Sequence, residues 1–354
     1  MIEDQLTPVI TEVREAHCFD EKALDGYLSK NMSGYEGALK VWQFEGGQSN
    51  PTFLLESGES RYVLRKKPPG ELLPKAHAVE REFKVMDALR ESEVPVPDVR
   101  VLCQDENIIG TPFYVMEHVE GRVSREASLP EMSPSERGSI YDSMNDILAK
   151  LHRTDFASVG LGKFGKAGEY IPRQVALWIK QYRAAQTEVI PAMEALVEFL
   201  PKRIPSEDLT AIAHGDYRLE NTVLHPSEPR IVAILDWELC TLGHPLADLA
   251  YNTMPYRLPE GEENSFGGLD LELLGIPTEE DYVRSYASRA GRGEIVDWPF
   301  YQVFAQFRLA AICQGVYKRG LQGNASSDHA LERGAKAKML AETGWQIAQE
   351  KMDA

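Results

Sequence analysis

Short runs of alternating apolar and polar residues dominate the first third of the chain and predict β-strands. These runs are residues 38–44, 52–55 and 61–67, followed by a hairpin whose last strand leads to Gly121. One segment breaks the alternation, because Val79, Phe83 and Met86 recur at helical spacing within residues 75–91. The pattern therefore predicts a five-stranded antiparallel sheet with one helix, over about residues 38–116.

Beyond residue 120 the apolar positions recur every three or four residues, which is typical of helices. Ser133 and Glu136 form the sequence of a capping box, with Pro134 at the first helical position. Predicted helices follow this box and cover residues 172–183, 191–199, 300–320 and 331–351. Residues 259–277 lack a period and are expected to be a loop. This part of the chain is thus predicted to be mainly helical.

Candidate chemistry is concentrated between His214 and Asp236, in the stretch HGDYRLENTVLHPSEPRIVAILD. Two apolar runs joined by a Pro-rich turn predict a hairpin, with Asn221 at the start of one strand and Asp236 at the end of the other. An Asp, an amide and a second Asp are the groups that phosphoryl transfer needs. We interpret Asp216 as the base, and Asn221 and Asp236 as Mg²⁺ ligands. A surface loop with ordinary turn residues is the alternative.

The segment HGDYRLEN resembles the catalytic loop H-R-D-x-x-x-x-N of the protein-kinase-like fold. It is more similar to the aminoglycoside phosphotransferase and choline kinase branch, and ILDWELCTLGHPLADLAY resembles that branch's metal-binding strand and next helix. The greatest similarity is to the phosphotransferase-type domain found fused to acyl-CoA dehydrogenases or beside them. The resemblance covers about residues 38–320 and implies a two-lobed α+β fold. It implies an N-terminal extension (1–37), a nucleotide-binding β-sheet lobe (38–119) and a larger helical catalytic lobe (120–354).

The resemblance also implies how the first lobe holds ATP. A turn rich in small residues, EGGQSN, lies between two predicted strands and suits close approach of backbone N–H groups to phosphates. The implied contacts are Gly47, Ser49 and Asn50, although Gly-Gly turns are also common in ordinary hairpins.

The resemblance also implies that a basic side chain on a strand contacts the α- and β-phosphates of ATP. The family's Lys is replaced here by Arg65, and this exchange is not neutral, because a guanidinium is planar and larger. Lys66, on the opposite face of the strand, stays an alternative. The resemblance pairs the cation with a helix carboxylate, for which Glu82 is preferred over Glu80.

The remaining implied residues lie in the hinge and around the catalytic loop. The strand ending VMEHVEG resembles the lobe-connecting hinge, so adenine is expected beside Met116 and on the backbone of Glu117 and Val119. Arg218 stands where protein kinases have a γ-phosphate-binding Lys, and is interpreted as a transition-state clamp or a contact to an anionic substrate. Asp248 is expected to hold the catalytic loop through its backbone N–H groups.

Charge and composition narrow the possible partners. The net charge of −17 disfavours nucleic acid and anionic membranes, whose phosphates would be repelled. The four cysteines lack metal or redox spacing, the N-terminus lacks a signal pattern, and no apolar run approaches 18 residues. We therefore expect a cytoplasmic protein without a membrane span. The oligomeric state stays open.

Taken together, these features predict an ATP- and Mg²⁺-dependent kinase that phosphorylates a hydroxyl of a small molecule. Only 12 positions separate Asp236 from Asp248, which leaves no room for the activation segment of a protein kinase. The resemblance suggests a hydroxyacyl-CoA or related lipid intermediate as acceptor, but aminoglycosides, amino-alcohols and a non-catalytic nucleotide-binding module stay open. The basic residues that could meet a CoA phosphate, or could simply be solvated, are Arg292, Arg308, Lys318 and Arg319.

Overall fold

The computed structural model describes residues 9–45, 50–68, 77–323 and 330–353. The chain divides into two compact units. The first unit comprises Met1–Arg125, Val159–Leu161 and Leu219–Cys240, and the second comprises Glu126–Ser158, Gly162–Arg218 and Thr241–Ala354. The lobe boundaries expected at residues 37 and 119 stay predictions.

Among the described residues, most strands belong to the first unit and most helices to the second, which is typical of an α+β fold. The strands are β1 (Ile10–Thr11), β2 (Lys40–Phe44), β3 (Thr52–Ser57), β4 (Ser60–Lys66), β5 (Val99–Cys103), β6 (Phe113–Glu117), β7 (Ala211–Ala213), β8 (Thr222–Leu224), β9 (Ile231–Ile234) and β10 (Thr241–Gly243). The α-helices are α1 (Glu21–Asn31), α2 (Val79–Leu89), α3 (Pro134–Arg153), α4 (Tyr170–Ala185), α5 (Pro191–Phe199), α6 (Pro245–Asn252), α7 (Leu271–Leu274), α8 (Glu279–Arg289), α9 (Trp298–Leu321) and α10 (Ala330–Lys351).

The first unit is built on an antiparallel sheet with the strand order β1-β2-β3-β4-β6-β5. The five predicted strands are present, but β1 adds a sixth at the edge, where Ile10 pairs with Phe44. This strand comes from the N-terminal extension and has only two residues, too few to show an alternation. The number of strands predicted was therefore one too low.

Two helices accompany this sheet. Helix α1 begins where the Asp20 side chain accepts a hydrogen bond from the Ala23 N–H, and its Leu24 and Leu28 enter a core with apolar side chains of the sheet. Helix α2 begins at Val79, later than predicted, because His77 has a left-handed φ of 57° and residue 78 is not helical. It ends at Leu89, two residues before the predicted end.

The predicted hairpin of β8 and β9 is confirmed and belongs to the first unit. Its outer strand exchanges two backbone hydrogen bonds with Arg122, which donates to and accepts from Leu224 at 2.9 and 2.8 Å. On the other side, the Ile234 N–H donates to the Pro95 carbonyl at 2.9 Å. These bonds hold the hairpin in place within the unit.

The second unit is mainly helical and centres on α9, which packs against α10, α4 and α6. The helix predicted over residues 300–320 is confirmed as α9, and its apolar stripe of Phe300, Phe304, Phe307 and Ala311 is buried in the core. The capping box of α3 is also confirmed, because Ser133 accepts from the Glu136 N–H while Glu136 accepts from the Ser133 N–H. The expected loop contains the one-turn helix α7, which is too short to leave a period in the sequence.

No helix in residues 9–45, 50–68, 77–323 or 330–353 combines the length and apolar content needed to cross a bilayer. The cellular compartment stays a prediction.

Candidate active site

Arg65 lies on β4 between two carboxylates of the first unit. Its Nε is 3.3 Å from Glu82 Oε2, and its Nη2 donates to Asp236 Oδ1 at 3.1 Å. The strand register sets Arg65 opposite Thr52 and Tyr114, so its side chain shares a face with the groups of α2. The predicted ion pair of Arg65 with Glu82 is therefore present, and Arg65 also reaches one of the predicted metal ligands.

Lys66 occupies the opposite face of the same strand. Its Nζ lies 5.1 Å from the centre of the Phe19 ring and 5.8 Å from that of Phe53. Burial lowers the pKa of Lys66, because a charged ammonium loses hydration among apolar rings. Arg65, not Lys66, is thus the cation that the strand presents to Glu82 and Asp236.

Glu82 is the centre of a buried polar network. Its carboxylate accepts hydrogen bonds from Asn50 Nδ2 at 2.8 Å and from the Tyr114 hydroxyl at 2.9 Å, in addition to the Arg65 contact. Burial raises the pKa of Glu82 to about 7, although the charge of Arg65 acts in the opposite direction. For Arg65, burial is the largest single effect and lowers the pKa, but the charges of Glu82, Tyr114, Asp236 and Glu238 together outweigh it and raise the pKa of the guanidinium.

The residues of the predicted phosphate turn are only partly described. Gly47 and Ser49 lie outside the described residues. Asn50 is fully buried, and its side chain bonds both Glu82 and His77, whose Nδ1 is 3.2 Å from Asn50 Oδ1. Asn50 therefore fixes Glu82, and its contact with a nucleotide stays a prediction.

The hairpin brings Asn221 and Asp236 to one end, as the sequence predicted. The Leu235 N–H donates to the Asn221 carbonyl at 2.8 Å, and Thr222 pairs with Ile234. Asp236 then adopts φ 63° and ψ 61°, a left-handed conformation that Asp tolerates better than most residues. The buried Trp237 follows and donates from its ring to the Ile234 carbonyl at 3.0 Å, which closes the turn.

The donor set at this end of the hairpin fits Mg²⁺. Asp236 is about one-third exposed, and only its Oδ1 has a protein partner in the described part of the chain. No group of three or more His, Cys, Asp or Glu among the described residues could hold a metal ion. Mg²⁺ does not require such a cage, because it is typically bound by one or two carboxylates and completes its shell with water and phosphates. Asn221 and Asp236 supply the hard oxygens that this mode needs.

The catalytic loop begins in the second unit, directly after β7. Asp248 on α6 accepts hydrogen bonds from the backbone N–H groups of His214 at 2.7 Å and Gly215 at 2.8 Å, and His152 Nε2 lies 3.2 Å from the same carboxylate. Burial alone would raise the pKa of Asp248, but the hydrogen bond and charge of His152 and the loop contacts lower it. The predicted anchoring role of Asp248 is confirmed.

His214 braces the loop from within. It is fully buried, and its Nδ1 accepts the Asp216 N–H at 3.2 Å. His214 therefore supports the backbone of the loop. His152, whose Nδ1 lies 2.6 Å from the Tyr286 hydroxyl, is itself buried.

Asp216 presents a partly exposed carboxylate on this fixed loop. Its Oδ1 lies 3.4 Å from Arg218 Nε, and 17% of its side-chain surface is exposed, against 47% for Arg218. Burial, followed by the charge of Asp216 and a hydrogen bond to it, raises the pKa of Tyr251. Sequence reasoning missed Tyr251, although it is the last residue of the segment ILDWELCTLGHPLADLAY, because no role was assigned to that position. The base and clamp roles of Asp216 and Arg218 stay predictions.

The predicted hinge residues follow one another at the end of β6. Met116 is buried and pairs with Val63, and the Glu117 N–H donates to the Asp98 carbonyl at 2.9 Å. Val119 lies two residues beyond the strand. Their contacts with adenine stay predictions.

The sheet with its helix α2, the anchored H-G-D loop and the Asn–Asp hairpin together define a protein-kinase-like phosphotransferase fold. The chain belongs to the phosphotransferase enzyme family, whose model matches residues 40–267. It is similar to a structure from Ralstonia eutropha JMP134, provisionally described as an aminoglycoside phosphotransferase, with 48% identity and a TM-score of 0.87. That match covers 94% of this chain and 99% of the other.

A second relative links the chain to acyl-CoA dehydrogenases, as the sequence indicated. This chain is 46% identical to acyl-CoA dehydrogenase family member 10 of Mus musculus, and the match covers 96% of this chain and 32% of the relative. The chain therefore spans about a third of that relative's length.

The kinase-like fold itself is confirmed by a more distant structure. A thermostable mutant of aminoglycoside phosphotransferase APH(4)-Ia, in a ternary complex with ADP and hygromycin B, matches 92% of this chain and 98% of its own with a TM-score of 0.60. The identity is only 12%, so this likeness concerns the fold alone.

Proposed function

We propose that this protein is an ATP- and Mg²⁺-dependent kinase that transfers the γ-phosphoryl group to a hydroxyl of a small molecule. The observation that carries the proposal is the loop around Asp216. Two of its backbone N–H groups are fixed by Asp248 and a third by His214, while the Asp216 carboxylate stays partly exposed. A general base needs such a held but accessible carboxylate.

In the proposed reaction, Asp216 orients the acceptor hydroxyl and takes its proton. The hydroxyl oxygen forms the new bond to the γ-phosphorus, and the bond from that phosphorus to the β–γ bridging oxygen breaks, so that ADP leaves. Arg218, whose Nε lies 3.4 Å from Asp216 Oδ1, meets the charge of the transferred group.

The nucleotide contacts are proposed for the first unit. Arg65, held by Glu82, binds the α- and β-phosphates, and Asn221 and Asp236 would hold Mg²⁺, which when bound offsets the charge on the phosphates. The other proposed contacts are Gly47, Ser49 and Asn50 at the phosphates and Met116, Glu117 and Val119 at adenine.

A hydroxyacyl-CoA or related lipid intermediate is the proposed acceptor. The support is the likeness to acyl-CoA dehydrogenase family member 10, whose name refers to acyl-CoA substrates. The Ralstonia eutropha relative and the distant structure with hygromycin B keep aminoglycosides in the test panel.

The proposal is tested by ATP consumption against hydroxyacyl-CoAs, amino-alcohols, sugars and aminoglycosides, with phosphorylated product identified by mass spectrometry. Asp216→Asn should lower turnover by roughly 10²–10⁴-fold, the usual contribution of a general base. Asp142→Asn, which changes an exposed carboxylate on α3, serves as the matched control. Full turnover in Asp216→Asn would remove Asp216 from this role.

A non-catalytic nucleotide-binding module is the second candidate. The observation in its favour is Arg65, which replaces the family's Lys and is already engaged by both Glu82 and Asp236. A Mg²⁺-dependent thermal shift with ATP, without turnover of any acceptor, would favour this candidate.

A further inference from the structure

Arg308 differs from the other basic residues that the sequence offered as anion contacts. Arg292 Nη1 lies 3.7 Å from Glu207, and Lys318 Nζ donates to the Ala184 carbonyl at 2.7 Å from an exposed position. Arg308 has no carboxylate within 4 Å in the part of the chain that the structure describes, so its charge is not paired there. It is also the one of these three that touches the catalytic loop.

The guanidinium of Arg308 is held in a defined position beside the proposed base. Its Nη2 donates to the Gly215 carbonyl at 3.1 Å, directly before Asp216. Its centre lies 5.4 Å from the Tyr251 ring and 5.8 Å from the Trp178 ring. The charge of Asp216 contributes to the raised pKa of Tyr251, so the cation and the base share this neighbour.

One buried donor of this guanidinium is unused. Arg308 Nε is buried and has no hydrogen-bond partner among the described residues. A buried donor on a charged group that lacks an acceptor is unfavourable, and aromatic faces offset only part of that cost. A cation with an unused donor, next to a base, is the arrangement expected where a ligand supplies the anion.

We propose that Arg308 binds an anionic group of the acceptor, a carboxylate or a phosphate, while Asp216 receives the same molecule's hydroxyl. This inference rests on the proposed kinase function and narrows its acceptor to a hydroxylated acid. A hydroxyacyl-CoA, whose carboxyl group is a neutral thioester, could meet Arg308 only through its CoA phosphates. Arg308 also disfavours polycationic acceptors, because an ammonium group would meet an unpaired guanidinium.

The test compares acceptors that differ only in the anionic group. Short ω-hydroxyalkanoates carry the carboxylate, hydroxyalkyl phosphates carry the phosphate, and diols of equal length carry neither. Arg308→Gln should lower kcat/KM for the acids by about 10–100-fold, the equivalent of one charge-assisted hydrogen bond. The change should fall mainly on KM, while the diols change by less than about threefold and Arg308→Lys lies between.

Arg284→Gln provides the matched control, because Arg284 lies on α8 with 64% of its side chain exposed and pairs only with surface carboxylates. It should leave every acceptor unchanged. The inference is overturned if Arg308→Gln lowers kcat equally for acids and diols, since Arg308 would then only hold the Gly215 carbonyl. A greater loss for phosphates than for carboxylates identifies the source of the anion.

A binding measurement distinguishes failure of this inference from failure of the kinase proposal. If no acceptor is phosphorylated, isothermal calorimetry shows whether the same acids still bind to the protein. Acid binding by the wild-type protein that is lost in Arg308→Gln supports the anion site and contradicts the kinase function. Acid binding that is absent, or equal in both proteins, overturns the anion site. If instead neutral acceptors are phosphorylated while the acids neither react nor bind, the anion site is overturned and the kinase function is supported.

Discussion

Replacing Asp248 by Asn tests how the catalytic loop is held, without knowledge of the acceptor. In the wild-type protein the carboxylate accepts from the N–H groups of His214 and Gly215 and contacts His152. An Asn in the same place can keep its oxygen toward His214 and His152, but its amide nitrogen then faces the Gly215 N–H. One donor therefore meets another donor in a buried site.

The expected cost follows from these contacts. One charge-assisted hydrogen bond, worth about 1.5–3 kcal/mol, is lost, and the two kept by the amide are weaker because the charge is gone. We expect Asp248→Asn to lower the free energy of unfolding by about 2–4 kcal/mol at pH 7. Urea denaturation followed by circular dichroism measures this change. Asp142→Asn, at an exposed pair with Arg289, should cost less than about 1 kcal/mol.

The pH dependence provides a second, independent check. The pKa of Asp248 is lowered in the folded protein, so its stabilisation is present above the unfolded value of 3.8 and is lost as pH falls through the folded pKa. The difference between wild type and Asp248→Asn should therefore be constant above about pH 5 and shrink in more acidic solution. A loss below 1 kcal/mol at pH 7, or a difference that grows on acidification, would refute the reasoning.

Two further substitutions test the two faces of β4. Arg65→Ala should lower the free energy of unfolding by about 3–5 kcal/mol, because it removes the cation that pairs with the buried Glu82 carboxylate. In a Glu82→Gln background the same substitution should cost much less. Equal losses in both backgrounds, measured by urea denaturation, would show that the two residues are not coupled. Lys66→Met should raise the free energy of unfolding, measured by urea denaturation, by about 1 kcal/mol at pH 7, because it removes a buried ammonium whose side-chain contacts among the described residues are the Phe19 and Phe53 rings. The pKa of Lys66 is lowered in the fold, so this gain should vanish as pH rises past the unfolded value of 10.5, and destabilisation at pH 7 would contradict it.

Local sequence patterns were sufficient to predict most of the helices and strands. The β8–β9 hairpin, the capping box of α3 and the core stripe of α9 all follow from spacing within one segment, and all are present. Elements without such a signal were missed or misplaced. Strand β1 has only two residues, and the start of α2 depends on the left-handed φ of His77, which no periodicity reveals.

The residues of the candidate site also differ in how far they could be predicted. The amino-acid sequence alone was enough to identify the acidic and amide residues of the loop, the hairpin and α6, because Asp216, Asn221, Asp236 and Asp248 lie at short, recognisable spacings. It could not assign partners to side chains that meet across long sequence separations. Asn50 and Tyr114 both bond Glu82 from 32 residues away, and Arg65 reaches Asp236 across 171 residues.

Some residues that are equivalent in the sequence are distinguished only by the tertiary structure. Arg65 contacts Glu82 and Lys66 contacts two aromatic rings, because adjacent strand residues face opposite sides of the sheet and only packing shows which side carries the carboxylates. The tertiary structure likewise set Arg308 apart from Arg292, 93 residues after the loop whose Gly215 carbonyl it contacts. Composition and spacing specify which groups are available, but the free energy of a buried charge depends on its neighbours, and only the folded chain determines those neighbours.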